Sequence, residues 1–339
     1  MKRVASSKPR VVITHWVHDD VIDHLHQFST PVPVAGRTVL SRDEVLARAR
    51  DADGLLACMT DRVDDDLLDR CPRLRVISAT LKGYDNFDAA ACTQHGVWLT
   101  ALPSQLTAPT AELCIGLIIG LMRHVAAGDR HVRSGAFRGW RPELYGAGLA
   151  GSTVGMIGMG AIGQALARRL RAFDARVLYH DVRPLMPEHE AELDVRRASL
   201  DELLGAGHVV LPLLPLRDDT AGLLDRSALA RMRTGAYLVN VSRGSVVDEA
   251  AVADALESGR LGGYAADVFA LEDWARADRP GRIDPTLLMH PNTLFTPHLG
   301  SGVDDVRRAM SHAAVDQIAQ ALAGGRPEYA VNDAHSGTT

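Results

Sequence analysis

The sequence predicts an α/β protein made of two parallel-sheet domains. Three observations carry this. Short apolar runs alternate with longer helical patterns, which is the signature of βαβ units. The alternation starts twice, near Val11 and again at Thr153. The chain has 339 residues, enough for two separate cores.

In the first series the candidate strands are residues 11–15, 54–58, 74–79 and 97–100. Residues 42–52 and 64–71 lie between them, with acidic starts and helical spacing. Residues 107–123 form a long apolar helix with Pro109 in its first turn, where a missing N–H costs little. The chain then turns polar through Arg138-Gly-Trp-Arg-Pro142 and Tyr145-Gly-Ala-Gly148, a mixture that reads as a loop lying over a site or a partner. In the second series the candidate strands are 154–158, 176–180, 208–213, 236–241, 263–268 and 293–296. Helical stretches at 161–173, 199–204 and 249–258 separate most of them. Residues 304–323 form a last helix, expected to return to the first domain. The polar tail after Pro327 is expected to fray.

Apolar content of 46% with 23% charged residues is ordinary for a water-soluble globular chain. A formal net charge of -5 argues against a nucleic-acid or membrane-surface role. Cys58, Cys71, Cys92 and Cys114 show no metal or redox spacing and read as incidental thiols in a reducing compartment. No run is long enough for a signal peptide or a span, so a cytoplasmic protein is expected. No metal-ligand cluster is evident, and no metal is expected.

The strongest motif is Gly158-Met159-Gly160-Ala161-Ile162-Gly163. It follows an apolar strand, opens an amphipathic helix and is followed by a second strand ending on Asp181, the full context of a dinucleotide fold. Gly158 makes the turn, Gly160 admits the pyrophosphate and Gly163 lets helix and strand pack. The helix N-terminus offers N–H groups to the phosphates. Asp181 suits the ribose hydroxyls and repels a 2′-phosphate, so NAD is favoured and NADP is the weaker option, with Arg183 nearby. Arg243, Glu272 and His298 each follow a predicted strand, at the edge where open parallel sheets bind ligands. Arg grips an oxyanion, and His titrates near neutral pH. Lys82 is the one lysine beyond Lys2 and Lys8 in a chain that otherwise uses arginine. A compact point charge is favoured there over a planar fork.

Arg243-Gly, Ala266-Asp-Val-Phe269 and Thr296-Pro-His298 behind the glycine motif resemble the NAD-dependent D-2-hydroxyacid dehydrogenase family, over residues 11 to 325. The resemblance implies two Rossmann-like/flavodoxin-like doubly wound domains with a cleft between them. It implies a discontinuous substrate domain at 1–105 plus 305–339 and an NAD-binding domain at 106–304. A dimerisation segment would lie at about 107–150, making a homodimer. It implies that Arg243 holds the substrate anion, His298 moves a proton and Glu272 orients the His. It also implies cofactor contacts from Thr110, Pro215, Val241, Asp267, His298 and Gly300. Val241 departs from the family pattern, which has proline there.

Lys82-Gly83 also departs, because the family usually has a Gly-x-Gly turn before Asp-Asn-x-Asp. Within the family this pattern, with Met59-Thr-Asp-Arg-Val63 and residues 263–280, resembles phosphite (phosphonate) dehydrogenases. That resemblance implies oxidation of phosphite to phosphate with NAD+ and water. Lys82, Gly83 and Arg243 would bind the anion, and Met59, Leu106, Trp140, Tyr145 and Ser301 would line or close the pocket. Two other readings stand beside it, the first of which uses the same Arg243, Glu272 and His298. One is a D-2-hydroxyacid dehydrogenase or glyoxylate/hydroxypyruvate reductase, with Lys82 incidental. The other is an NAD-sensing binding protein without turnover.

Overall fold

The computed structural model describes residues 8–335. Lys2, Arg3 and the end of the polar tail lie outside them. The chain divides into two compact units. Unit 1 comprises Met1–Gln105, Trp274–Ala277 and Val303–Thr339, and unit 2 comprises Leu106–Asp273 and Asp278–Gly302.

Unit 1 begins with β1 (Arg10–Ile13), α1 (Asp19–His26), β2 (Thr30–Val32), α2 (Arg42–Ala49), β3 (Gly54–Ala57), α3 (Asp65–Arg70), β4 (Val76–Ala79), α4 (Ala89–Gln94) and β5 (Trp98–Thr100). The sheet runs β2-β1-β3-β4-β5, parallel throughout. β3 and β4 are buried along their whole length, which is why they read as continuous apolar runs instead of alternating ones. Three of these helices, α2, α3 and α4, begin where side chains cap them. Ser41 and Glu44 form a capping box, and Asp64 and Asp88 accept from the backbone three residues on. The winding reverses between β1 and β3, which makes their carboxyl ends the switch point of this sheet.

Unit 2 contains α5 (Thr107–Met122), α6 (Val125–Arg133), β6 (Thr153–Ile157), α7 (Ala161–Leu170), β7 (Arg176–His180), α8 (Pro187–Leu193), β8 (Val195–Arg197), α9 (Leu200–Ala206), β9 (Val209–Pro212), α10 (Arg226–Arg231), β10 (Ala236–Asn240), α11 (Glu249–Glu257), β11 (Leu261–Ala266), α12 (Pro285–Met289) and β12 (Thr293–Phe295). Its parallel sheet runs β12-β11-β10-β9-β6-β7-β8, with the reversal between β6 and β9. α5 is apolar because it is a core helix, burying Cys114, Leu117, Ile118 and Leu121 in the cluster that also holds Met156 and Leu166. α6 stands where the sequence reads as a polar connection. It starts after His124, whose φ of 53 turns the chain into the left-handed region. No single helix among the described residues is long and apolar enough to cross a membrane.

The chain then returns to unit 1 as α13 (Asp304–Leu322), which packs on α1, β3 and β4 through Met310, Ala314 and Ile318. The tail after Pro327 does not fray, contrary to expectation, in its described part. Val331 N–H donates to the Leu99 carbonyl at 2.9 Å, and Asn332 Oδ1 accepts from Leu99 N–H at 2.8 Å. It covers the otherwise open edge of β5. Trp274–Ala277, expected in the NAD-binding domain, cluster with unit 1, where Ala275 N–H donates to Asn86 Oδ1 at 3.2 Å.

Candidate active site

The glycine motif in unit 2 lies between β6 and α7, at the switch point. Gly158 has φ 106, and a Cβ there would sit 2.5 Å from the Leu213 carbonyl oxygen. A Cβ on Gly163 would sit 2.7 Å from the Gly158 oxygen. At Gly160 a Cβ would meet nothing within 4 Å. The two outer glycines are therefore required by the protein's own packing, while the middle one keeps a surface bare. Gly160 caps α7 without a side-chain acceptor, so the first-turn N–H groups of Ala161, Ile162 and Gly163 remain available to phosphate oxygens. Asp181 stands just beyond β7. Its carboxylate accepts from Met159 N–H at 2.7 Å and from Arg183 N–H at 2.8 Å. These bonds fix it beside the glycine turn, and each oxygen keeps a lone pair for a ribose hydroxyl. The residues present fit a dinucleotide.

Arg243 follows β10. Asn240 shapes this turn, donating to the Arg243 carbonyl at 2.9 Å while its own oxygen accepts from the Ser242 N–H and hydroxyl. Val241, where proline was expected, is buried in the core cluster, and Asn240 supplies the turn's constraint. Gly244 lies against the turn after β11, where a Cβ would come within 1.9 Å of the Ala270 nitrogen. Ser245 N–H donates to Asp273 at 2.7 Å, joining the same two loops.

Glu272 closes a short 3-10 turn, Ala270–Glu272. One of its oxygens accepts from Phe269 N–H at 2.9 Å, and the other lies 2.6 Å from His298 Nδ1. His298 has φ 56. Asp267, 1% exposed, holds that conformation. Its carboxylate accepts from the Thr296 hydroxyl, Leu299 N–H and Gly300 N–H at 2.6, 2.6 and 2.8 Å. Burial still leaves the Asp267 pKa above the usual carboxylate range, despite these donors. Asp267 and Gly300, expected against the cofactor, thus belong to the frame that carries the imidazole, and any cofactor contact comes in addition. Thr110 joins this frame by donating to the Leu106 and Gly300 carbonyls. Sequence reasoning gave no sign of this bracket, although an Asp directly after a buried strand was the available signal.

In unit 1, Lys82 and Gly83 follow β4 and are partly buried. Burial pushes the Lys82 ammonium pKa down. The Leu81 carbonyl accepts from Leu102 N–H at 2.7 Å, pinning this loop. Met59 lies after β3 and packs at the margin of the core. Leu106 and Ser301 are partly buried in unit 2, while Pro215 is exposed and Trp140 and Tyr145 are 76% and 72% exposed.

A glycine-cradled nucleotide turn at the switch point and a His–Glu pair at the same sheet edge define a dinucleotide-dependent oxidoreductase. The chain belongs to the D-isomer specific 2-hydroxyacid dehydrogenase family, whose NAD-binding-domain model matches residues 115–300. It is 33% identical over 331 residues to the glyoxylate reductase of Pyrococcus furiosus, with 96% of each chain covered. A Thermus thermophilus protein of known structure superposes with TM-score 0.84 at 34% identity, covering 95% of this chain and 99% of that one. An NADPH-dependent glyoxylate/hydroxypyruvate reductase from Sinorhizobium meliloti, solved with NADP and malonate, has TM-score 0.81 at 27% identity, with 97% and 98% covered.

These relatives correct the expectation of phosphite oxidation, and with it phosphite as the partner molecule. The Pyrococcus and Sinorhizobium proteins are named as reductases of glyoxylate or of glyoxylate and hydroxypyruvate. The physical reason is that a point charge such as Lys82 does not distinguish the atom that bears an anion's oxygens.

Proposed function

We propose that the protein reduces a small 2-oxo acid of the glyoxylate or hydroxypyruvate class to the 2-hydroxy acid, using NADH in preference to NADPH. Unit 2 is the cofactor domain in this reading, and unit 1 the substrate domain. Bound nicotinamide supplies the hydride for the carbonyl carbon. Arg243 pairs with the substrate carboxylate and polarises the carbonyl. His298 gives its proton to the oxygen that becomes the hydroxyl. Glu272 holds the ring so that Nδ1–H faces its carboxylate and Nε2 faces the reacting oxygen. The observation that carries this reading is the 2.6 Å contact between His298 Nδ1 and Glu272, with the second Glu272 oxygen tied to the backbone. Asp181 favours NADH by repelling a 2′-phosphate.

We further infer a homodimer. Val125, Val132, Phe137, Trp140, Leu144 and Tyr145 are all exposed between 47% and 76%, a cluster of large apolar side chains within one short stretch of unit 2. Light scattering on the purified protein should give twice the mass of 36.5 kDa.

The test of the activity is NADH consumption with glyoxylate and with hydroxypyruvate, and NADH formation with phosphite and NAD+ alongside. Turnover of either 2-oxo acid, with little or none on phosphite, supports the proposal. Turnover on phosphite alone overturns it.

A further inference from the structure

Cys58 is the first residue after β3, and His15 follows β1 after a single intervening residue. These strands flank the switch point of the unit 1 sheet, so the two side chains stand at the edge where open α/β sheets take ligands. The His15 imidazole favours the Cys58 thiolate electrostatically. From α13, Arg307 Nη2 approaches Cys58 Sγ at 3.6 Å, while Arg307 Nη1 donates to the Thr80 carbonyl at 3.1 Å. Thr80, just after β4, also meets His15 Nε2 at 3.3 Å. Behind the thiol, Asp61 accepts from Cys58 N–H at 2.7 Å and from the Thr14 hydroxyl at 2.5 Å.

The groups facing the sulfur are thus an imidazole, a guanidinium and one carboxylate. Burial alone would raise the thiol pKa, but His15 and then Arg307 outweigh it and bring Cys58 down to about 5. Burial raises Asp61 to about 6, so its carboxylate is largely charged at neutral pH and loses that charge as the pH falls below about 6. The other cysteines differ in kind. Cys71, Cys92 and Cys114 are buried, and burial pushes Cys92 and Cys114 up to about 12. Cys58 is only partly buried. A thiolate held by cations at a partly exposed position is the environment in which cysteines react.

We infer that Cys58, held by His15 and Arg307, is a site at which hydroperoxides reversibly oxidise the protein to a sulfenic acid. The thiolate attacks one peroxide oxygen, the S–O bond forms and the O–O bond breaks. Sulfur loses two electrons, and the departing alkoxide (hydroxide, for hydrogen peroxide) takes a proton by way of His15 and leaves as the alcohol or water. A small thiol then condenses with the sulfenic acid to a mixed disulfide, releasing water. A second thiol restores Cys58 and leaves as the disulfide of the two reductant molecules. Oxidation removes the charge that pairs with Arg307, which also holds the carbonyl of Thr80, two residues before Lys82. The modification therefore reaches the Lys82 loop through one side chain.

The deciding experiment alkylates the native protein with iodoacetamide at about pH 8 and about pH 6 and locates the label by peptide mass mapping. An ordinary thiol loses thiolate about tenfold per pH unit, or about a hundredfold over this range. Cys58 is expected to lose less than about threefold. After a hydrogen peroxide pulse, dimedone should mark Cys58, and a prior thiol reductant should abolish the mark. His15→Gln, or Arg307→Gln if the first variant folds poorly, should return Cys58 toward the ordinary pH course. A hundredfold loss at Cys58 in the wild type overturns the inference. So does dimedone labelling confined to other cysteines, or none at all.

Discussion

In unit 2 the loop ends at the carboxyl edge of the sheet are bonded to one another. Asn240 fixes the Arg243 turn, Asp273 ties that turn to the next loop, Glu272 is bound at both oxygens, and Asp267 carries the His298 loop on three donors. In unit 1 the same edge holds Lys82, whose ammonium pays a desolvation cost, and a thiol, imidazole and guanidinium that converge from β3, β1 and α13. The first arrangement is built from backbone turns adjacent in space. The second is built from side chains brought together by the packing of whole elements. The first suits groups that must keep one orientation while a proton moves. The second leaves charge partly unshielded and open to chemistry from outside.

The largest expected effect tests whether the unit 2 frame serves one ring. His298→Asn keeps a residue that tolerates the left-handed backbone while removing the imidazole. Turnover of glyoxylate should fall about 10²- to 10⁴-fold, the usual contribution of a positioned acid–base group. NADH affinity, followed by fluorescence titration, should stay within about twofold of wild type, less than about 0.5 kcal/mol. A variant with near-normal turnover would show that the frame holds something other than the proton donor.

Next in size is a change that touches no charged group. Gly244→Ala puts a methyl within 1.9 Å of the Ala270 backbone nitrogen, so the Arg243 turn and the Glu272 turn must separate. Overpacking of this kind costs about 1–3 kcal/mol. The melting temperature should fall by several degrees, and glyoxylate turnover should fall well beyond what the lost folded fraction explains. If turnover tracks the folded fraction alone, the two turns do not need their mutual fit for activity.

The same contrast explains what was legible in the sequence. The placement of Arg243, Glu272 and His298 was legible because each comes shortly after a strand that is itself a clear apolar run, and local order passes directly into placement. The glycine turn was legible because Gly158 and Gly163 answer to steric contacts within a single βα unit. β2 and β8 were not legible, being three-residue edge strands, one carrying Pro31 and the other ending in Arg196 and Arg197. α6 was hidden because its start depends on the left-handed turn at His124, a residue with no helix-starting signature. The thiol cluster was invisible for a stronger reason. Cys58, His15 and Arg307 are distant in sequence, and no spacing rule connects them. The substrate was also misread from Lys82, because a charge alone does not identify an anion.

The smallest expected effect bears on unit 1. Burial lowers the Lys82 pKa, so the folded state is penalised for holding the ammonium and the unfolded chain is not. Between the folded and unfolded pKa values the unfolded chain binds more protons, so stability rises with pH across that window. Lys82→Met removes the penalty and should raise the melting temperature near neutral pH. The gain should be small, about 1–2 °C, because water still reaches part of the side chain. It should shrink on raising the pH and vanish above about pH 10.4, where the unfolded lysine is neutral too. If the charge serves the substrate anion, KM for glyoxylate should rise about tenfold in the same variant, equal to about 1.4 kcal/mol of binding. A stabilised enzyme with weaker substrate binding would mean that unit 1 keeps a costly charge for function. A variant that is no more stable, or is stabilised with KM unchanged, would remove Lys82 from the comparison and leave Cys58 as the chemically distinctive group at that edge.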